Sequence, residues 1–308
     1  MLVEEELAQI SPAKDTLLTI GVFDGVHLGH KYLIAQLVQR ARHLDLLSGV
    51  ITFRQHPQQV LTGSGLSRLT SLEQRIALIK FEGVDFVLAL SFTQELSRLT
   101  AGEFIGLLKK HLRMRGLVVG PDFTFGHKRE GNIDRMRELG RDMNFSLTVI
   151  SPIMLDGDVA SSSAIRQALA EGDVDKARRL LGRRFSLSGR VVSGSGRGRQ
   201  LGFPTANLAV DPEQALPADG IYATLAHIGD KTYQSVTSIG RRPTFDNGER
   251  TVEVYIFDFS GNLYGYELTI DIIKRLREEK RFDSVQQLKE QIEKDIEQSK
   301  GILSSESN

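Results

Sequence analysis

Apolar residues in this chain follow two different periods, and the change falls near residue 184. Before it, short apolar runs alternate with amphipathic stretches. Residues 17–22 read as a strand, and 31–44 then place Leu33, Leu37, Val38 and Ala41 on one helical face. Residues 50–53, 84–90, 117–119 and 147–150 read as further strands. Between them, Ser71 with Gln74 and Thr100 with Glu103 have the spacing of capping boxes that open helices. Strands alternating with helices predict a parallel sheet covered on both faces. Residues 161–182 read as two helices broken at Gly172 and Asp173. After 184, Phe185, Leu187 and Val191 alternate, and Gly229-Asp230 separates two strand-like runs as a hairpin turn. A second hairpin is expected at Ser260-Gly261-Asn262, and a last helix capped by Ser284. This half predicts a small antiparallel barrel carrying one helix, with 304–308 disordered. Two domains, 1–184 and 185–308, are therefore expected.

Composition narrows the function. Lys+Arg and Asp+Glu both number 39 in 308 residues, which excludes the basic footprint of a dedicated nucleic-acid binder. There is no Cys, so thiolate nucleophiles, disulfides and Cys-ligated metals are excluded, and a reducing, cytoplasmic location is expected. Glu4, Glu5 and Glu6 stand where a signal peptide carries positive charge, and no apolar run reaches the roughly 20 residues of a membrane span. No nucleic-acid or membrane partner is expected, and the oligomeric state is left open.

The junction between the first strand and first helix reads GVFDGVHLGH, residues 21–30. Gly21, Gly25 and Gly29 allow a tight turn and close approach to a ligand. Phe23 and Asp24 lie inside the turn, and His27 and His30 close it. Helix N-termini at such junctions offer free N–H groups to phosphates. Two imidazoles beside an anion site suit a reaction in which charge builds on a phosphate. The other reading is structural: glycines that turn and histidines that cap. The glycine spacing fits neither a Lys-Ser/Thr phosphate loop nor the dinucleotide fingerprint.

Three further segments fall at strand ends or helix starts. TFRQHP (52–57) contains Phe53 and His56, and VVGPDFTFG (118–126) contains Asp122, Phe123 and Phe125. SSSAIR (161–166) offers the hydroxyls of Ser161, Ser162 and Ser163 and the guanidinium of Arg166 to phosphate. The phenylalanines suit either stacking on a planar ring or an ordinary core, and the serines either a ligand or a cap.

In the second half, GSGRGRQLGFPTAN (194–207) carries Gly196, Arg197, Gly198 and Arg199, a loop that suits either phosphates or a solvated hairpin tip. Thr205 and Asn207, two apart on an extended segment, point the same way and offer neutral oxygens to a hard cation such as Mg²⁺. Glu253 lies in a strand, as either a general base or an outward-facing carboxylate. The run LREEKRF (276–282) reads as a solvated face unless it lines a ligand pocket.

Taken in order, GVFDGVHLGH, TFRQHP, VVGPDFTFG, SSSAIR, GRGRQLGFPTAN, SIGRRPTF, TVEVYIFDF, LYG and RLREEKRFDS resemble the bifunctional bacterial riboflavin kinase/FAD synthetase family over nearly the whole chain. HxGH by itself is the signature of the nucleotidyltransferase superfamily. The resemblance implies a Rossmann-like parallel α/β nucleotidyltransferase domain followed by an antiparallel Greek-key β-barrel. It implies that the barrel phosphorylates riboflavin with ATP to FMN, and that the first domain adenylylates FMN with a second ATP to FAD and pyrophosphate. Thr205 and Asn207 are then expected on Mg²⁺, and Glu253 as base. His27 and His30 are expected on the ATP phosphates, with Gly21, Phe23, Asp24, Gly29, the serine run, Arg166 and the Gly196 to Arg199 loop as nucleotide contacts. Phe53, His56, Asp122, Phe125 and Arg277 are expected at flavin. The sequence departs from the family at Gln55, where Pro is usual, and at Tyr255, where His is frequent. Asp122 stands where Asn also occurs.

Overall fold

A computed structural model describes residues 3–306, apart from Ser64, Asp156, Ser195 and 242–249, with the side chains of Arg197 and Glu306 also outside the description. It divides into two compact units, 1–162 and 163–308.

The first unit runs α1 (Val3–Ala8), β1 (Thr16–Ile20), α2 (Leu28–His43), β2 (Leu47–Phe53), α3 (Pro57–Thr62), α4 (Leu72–Phe81), β3 (Phe86–Leu90), α5 (Gln94–Arg98), α6 (Ala101–Leu112), β4 (Met114–Val119), α7 (Ile133–Asp142) and β5 (Ser146–Val149), then a short pair, β6 (Met154–Leu155) and β7 (Asp158–Val159). The five main strands are parallel, in the order β3-β2-β1-β4-β5. Successive side chains leave a strand on opposite faces. Leu18 accordingly joins a core with Phe104, Ile105 and Leu108 of α6, while Leu17 joins one with Ile34, Leu37 and Val38 of α2. Both expected capping boxes form, at Ser71/Gln74 and Thr100/Glu103. The chain passes from β1 to β2 on one side and returns to β4 on the other, so the order reverses beside β1. Parallel α/β sheets bind ligands at the carboxyl ends of strands flanking such a reversal.

The second unit opens with α8 (Ser162–Glu171, from its second residue) and α9 (Val174–Leu181), broken at Gly172 as expected. These helices belong with the barrel, so the compact division lies before them rather than at 184. The barrel comprises β8 (Phe185–Val192), a short helix α10 (Arg197–Leu201), β9 (Ala206–Val210), β10 (Gly220–Ile228), β11 (Lys231–Arg241), β12 (Arg250–Ile256) and β13 (Glu267–Arg277), followed by α11 (Val285–Glu306). The strands close in the cyclic order β10-β11-β12-β9-β8-β13. The hairpin at Gly229-Asp230 is present. The hairpin expected at Ser260-Gly261-Asn262 is not: β12 pairs with β11 and β9, and β13 with β10 and β8. Residues 257–266 carry the chain past the barrel end, so that β13 returns beside β10 in Greek-key order. The tail expected to be disordered is helical through Glu306, with Ser304 and Ser305 hydroxyls donating to Lys300 O and Ile302 O.

Candidate active sites

At the end of β1, Gly21 N–H still donates to Ile51 O, and then the backbone turns sharply. Phe23 (φ 54°) and Val26 (φ 39°) sit in the left-handed region beside Gly25 (φ 81°). For side chains such as these, that backbone costs roughly 1–2 kcal/mol per residue, so the surroundings must hold it. Asp24 does much of that. It is 5% exposed, and its carboxylate accepts from the N–H groups of Leu69 (3.0 Å) and Thr70 (3.2 Å) and from the Thr70 hydroxyl. Gly25 N–H in turn donates to Thr70 Oγ1. Asp24, expected among the phosphate contacts, thus has its carboxylate turned into the loop, where it fixes shape. A carboxylate aimed at a polyanion would repel it.

The loop delivers His27 as the N-cap of α2. Its Nδ1 accepts from His30 N–H at 3.3 Å, so in the neutral ring the proton sits on Nε2. The His27 and His30 rings stack with centroids 3.6 Å apart, and Phe23 meets His30 edge-on at 5.0 Å. Burial, then the charges of His27 and Arg75, hold the His30 imidazole well below its usual range. His30 is neutral at pH 7, and its buried Nδ1 has no hydrogen-bond partner among the described residues. Gly29 is required by contact: a Cβ there would lie 2.9 Å from Ala160 O and 3.2 Å from the His27 ring.

Around this loop the other expected residues fall out differently. Ser162 donates its hydroxyl to Asp24 O (2.9 Å), which ties the serine run to the histidine loop. Ser161 lies in the same unit, whereas Ser163 and Arg166 lie on α8, in the second unit. His56 caps α3, accepting from Gln58 N–H at 3.2 Å. Phe53, the last residue of β2, is 7% exposed and packs in the sheet core, edge-on to Phe92 and in the cluster that holds Phe104 of α6. Phe125 is half-buried between Phe104 and Phe123, and Asp122 is exposed in the loop after β4. Arg75 escaped the sequence reading. It is 4% exposed on α4, and its guanidinium donates to Val22 O (2.8 Å) and Phe53 O (2.7 Å). Its only sequence signal is position, one residue after the capping box.

In the barrel, β9 and β12 run antiparallel with Asn207 directly opposite Glu253. Thr205 Oγ1 donates to Glu253 Oε2 at 3.3 Å. Thr205 and Asn207 thus both stand beside Glu253. A Cβ at Gly194 would lie 2.2 Å from Asn207 Nδ2, so glycine there makes room for the amide. Tyr255, the departure two residues beyond Glu253, packs edge-on against Phe203 at 5.7 Å, bracing the strand against the loop that carries Thr205. A cleft of about 390 Å³ opens beside Thr205; Arg199 lines its polar part, and Val254, Ile256 and Phe259 its apolar part. Gly196 turns with φ 70° to start α10, which carries Gly198 and Arg199. The Arg197 side chain and residues 242–245 of SIGRRPTF lie outside the described residues. Arg277, expected at flavin, instead forms a fork on Asp295 of α11 (2.9 and 2.7 Å), both side chains largely buried. That pair ties β13 to α11.

The Thr205, Asn207 and Glu253 oxygens suit a hard cation, which Mg²⁺ sites typically share with substrate phosphates. No cluster of three or more His, Asp or Glu side chains able to hold a metal occurs among the described residues. No described helix is long and apolar enough to cross a membrane.

Comparison with known proteins adds the following. A sequence model of the family described as FAD synthetase matches residues 9–164, and one described as riboflavin kinase matches 181–303. The bifunctional riboflavin kinase/FMN adenylyltransferase of Escherichia coli K12 is 39% identical over 288 residues, covering 92% of each chain. That of Pseudomonas fluorescens is 40% identical over 280 residues, covering 90% of each. A solved structure described as a macrolide-efflux protein from Streptococcus pneumoniae superposes with a TM-score of 0.87 at 32% identity, covering 96% of each chain.

Proposed function

This chain belongs to the bifunctional riboflavin kinase/FMN adenylyltransferase family, and from that premise we propose which of its residues carry each transfer. ATP is the co-substrate of both reactions, and FMN and FAD are the products. We assign adenylyl transfer to residues 1–184 and riboflavin phosphorylation to 185–308, with a cytoplasmic location.

In adenylyl transfer a phosphate oxygen of FMN attacks the α-phosphorus of ATP, and the bond to pyrophosphate breaks. The nucleophile is already anionic, so no base is needed, and the protein's task is to position and to stabilise charge. His27 offers Nε2–H to the phosphates. Neutral His30 beside it adds a second donor without the repulsion that two stacked imidazolium rings would suffer. Backbone N–H groups at Phe23 and Gly29 and the Ser161 hydroxyl complete the anion cradle. His56, Asp122 and Phe125 form the flavin side. The observation that carries this assignment is the stacked His27–His30 pair at the start of α2, beside the strand-order reversal where parallel sheets take ligands.

In the barrel, Glu253 accepts the proton of the ribityl hydroxyl as that oxygen attacks the γ-phosphorus of ATP. Thr205 holds the Glu253 carboxylate by its hydroxyl, and Asn207 lies opposite in register. Mg²⁺ on the Thr205 and Asn207 oxygens would neutralise phosphate charge. The cleft beside Thr205 has the polarity of a nucleotide, with Arg199 toward phosphate and Val254, Ile256 and Phe259 toward the base.

Metal titration tests the barrel assignment. Thr205→Val should raise the Mg²⁺ concentration for half-maximal riboflavin phosphorylation at least several-fold. The Mg²⁺ dependence of FAD formation from supplied FMN should stay as in the parent protein. An unchanged metal dependence of phosphorylation would remove Thr205 from the metal site.

A further inference from the structure

We propose that Arg75 is a positioning residue for adenylyl transfer, its buried guanidinium locking the histidine loop and the His56 loop into one register. This rests on the assignment of His27 and His30 to the ATP phosphates.

The two carbonyls that Arg75 binds belong to different loops. Val22 O lies just beyond β1, in the segment leading to His27. Phe53 O ends β2, three residues before His56. A guanidinium presents donors in a rigid fork, so it fixes the separation and direction of both carbonyls at once. Val22 O also accepts the Thr52 hydroxyl at 2.9 Å, which strengthens the same junction. Arg75 is itself held: the Ser71/Gln74 capping box starts α4, and Arg75 N–H donates to Ser71 O. Just upstream, Leu69 and Thr70 grip Asp24 of the histidine loop. The stretch 69–75 therefore touches the histidine loop at Val22, Asp24 and Gly25, and the flavin-side strand at Phe53.

A cation is a costly choice for a mechanical tie. Two neutral carbonyls do not repay burial of a full charge, and Arg75 Nε is buried without a partner among the described residues. Asp24 attracts the charge, as does Glu73, while Arg68 opposes it. The positive charge is felt at His30, where it acts with burial and His27 against protonation. Arg75 thus does two things for one site. It sets the distance between the ATP and flavin loops, and its charge adds, after burial and His27, to what holds the His30 ring below its usual range.

Two substitutions in the full-length protein separate these effects. Arg75→Lys keeps charge but loses the fork, and Arg75→Gln keeps a donor but loses charge. Three quantities are read: kcat and KM for FMN and ATP in FAD formation, riboflavin phosphorylation, and the NMR titration of the His30 ring without substrate. The His30 resonance is identified among the seven histidines by its absence in His30→Ala. Misplacement by about 1 Å costs ~100-fold in rate, so Arg75→Gln should lower kcat for FAD formation by about that factor. It should also move the His30 titration to higher pH, while phosphorylation of riboflavin is unchanged. Arg75→Lys should leave the titration near its original position and recover part of kcat. If Arg75→Gln forms FAD at the parent rate, or loses rate with the His30 titration unmoved, the inference is overturned. If His30→Ala itself forms FAD normally, it is the site assignment that fails. Thermal unfolding of the N-terminal unit, followed in each variant, guards against reading loss of fold as loss of positioning.

Discussion

His27 caps α2 through Nδ1, and we assign its Nε2 to the ATP phosphates. As an N-cap it accepts from His30 N–H, and asparagine caps helices well too. His27→Asn should therefore keep thermal stability close to the parent value while removing the Nε2 donor. Loss of one oxyanion-type donor costs about 10²–10³ in kcat, and FAD formation should fall by that order. His27→Ala, assayed alongside, should lose the cap as well, at about 1 kcal/mol. His30 gives a pH prediction. Its folded pKa is depressed below the unfolded value of 6.5, so the unfolded state binds the proton more readily. The stability this contributes is present above pH 6.5 and is lost as pH falls through the folded pKa. Denaturant unfolding of the N-terminal unit between pH 7.5 and 5 should show that decline, and His30→Gln should flatten it. At this scale the motif GVFDGVHLGH was legible because its chemistry is local. Arg75 was not, because its meaning lies in two carbonyls 53 and 22 residues away in sequence. The orientations of Asp24 and Phe53 were not legible for a related reason: a carboxylate or ring beside a motif carries no mark of which way it turns.

At the scale of elements, local signals were dependable and pairings were not. The capping boxes, the helix break at Gly172 and the hairpin at Gly229-Asp230 each depend on residues within a few positions of one another. The supposed β12–β13 hairpin had a plausible turn sequence, but β12 ends at Ile256 and β13 begins at Glu267, and each strand finds long-range partners. Alternation reveals a strand without revealing its neighbour. Helix α11 makes the same point for a side chain. Its Leu303 is fully buried against Ala223, Val236 and Ile273, and the Arg277–Asp295 fork fixes its approach. Removing one partner of a buried pair costs about 3–5 kcal/mol, so Asp295→Ala should lower barrel stability by that order in urea unfolding. A loss under 1 kcal/mol would mean that apolar packing alone holds the helix.

For the whole molecule, the change of hydrophobic period separated two folds before any motif was considered, and each fold carries its own transfer chemistry. The order of the motifs along the chain made both activities legible. The exact division was less so, because α8 and α9 are helical like the first unit yet pack with the barrel. The balance of 39 basic and 39 acidic residues gives no sign of either transfer chemistry.

The central claim is that the two transfers occur at independent sites on one chain. It is tested by incubating His30→Ala and Glu253→Gln, separately and mixed, with riboflavin, ATP and Mg²⁺, and separating the flavins by chromatography. His30→Ala should accumulate FMN without FAD. Glu253→Gln should leave riboflavin untouched yet convert supplied FMN to FAD, and the mixture should make FAD from riboflavin. Loss of both activities from either folded variant, or a mixture that stops at FMN, would contradict the account.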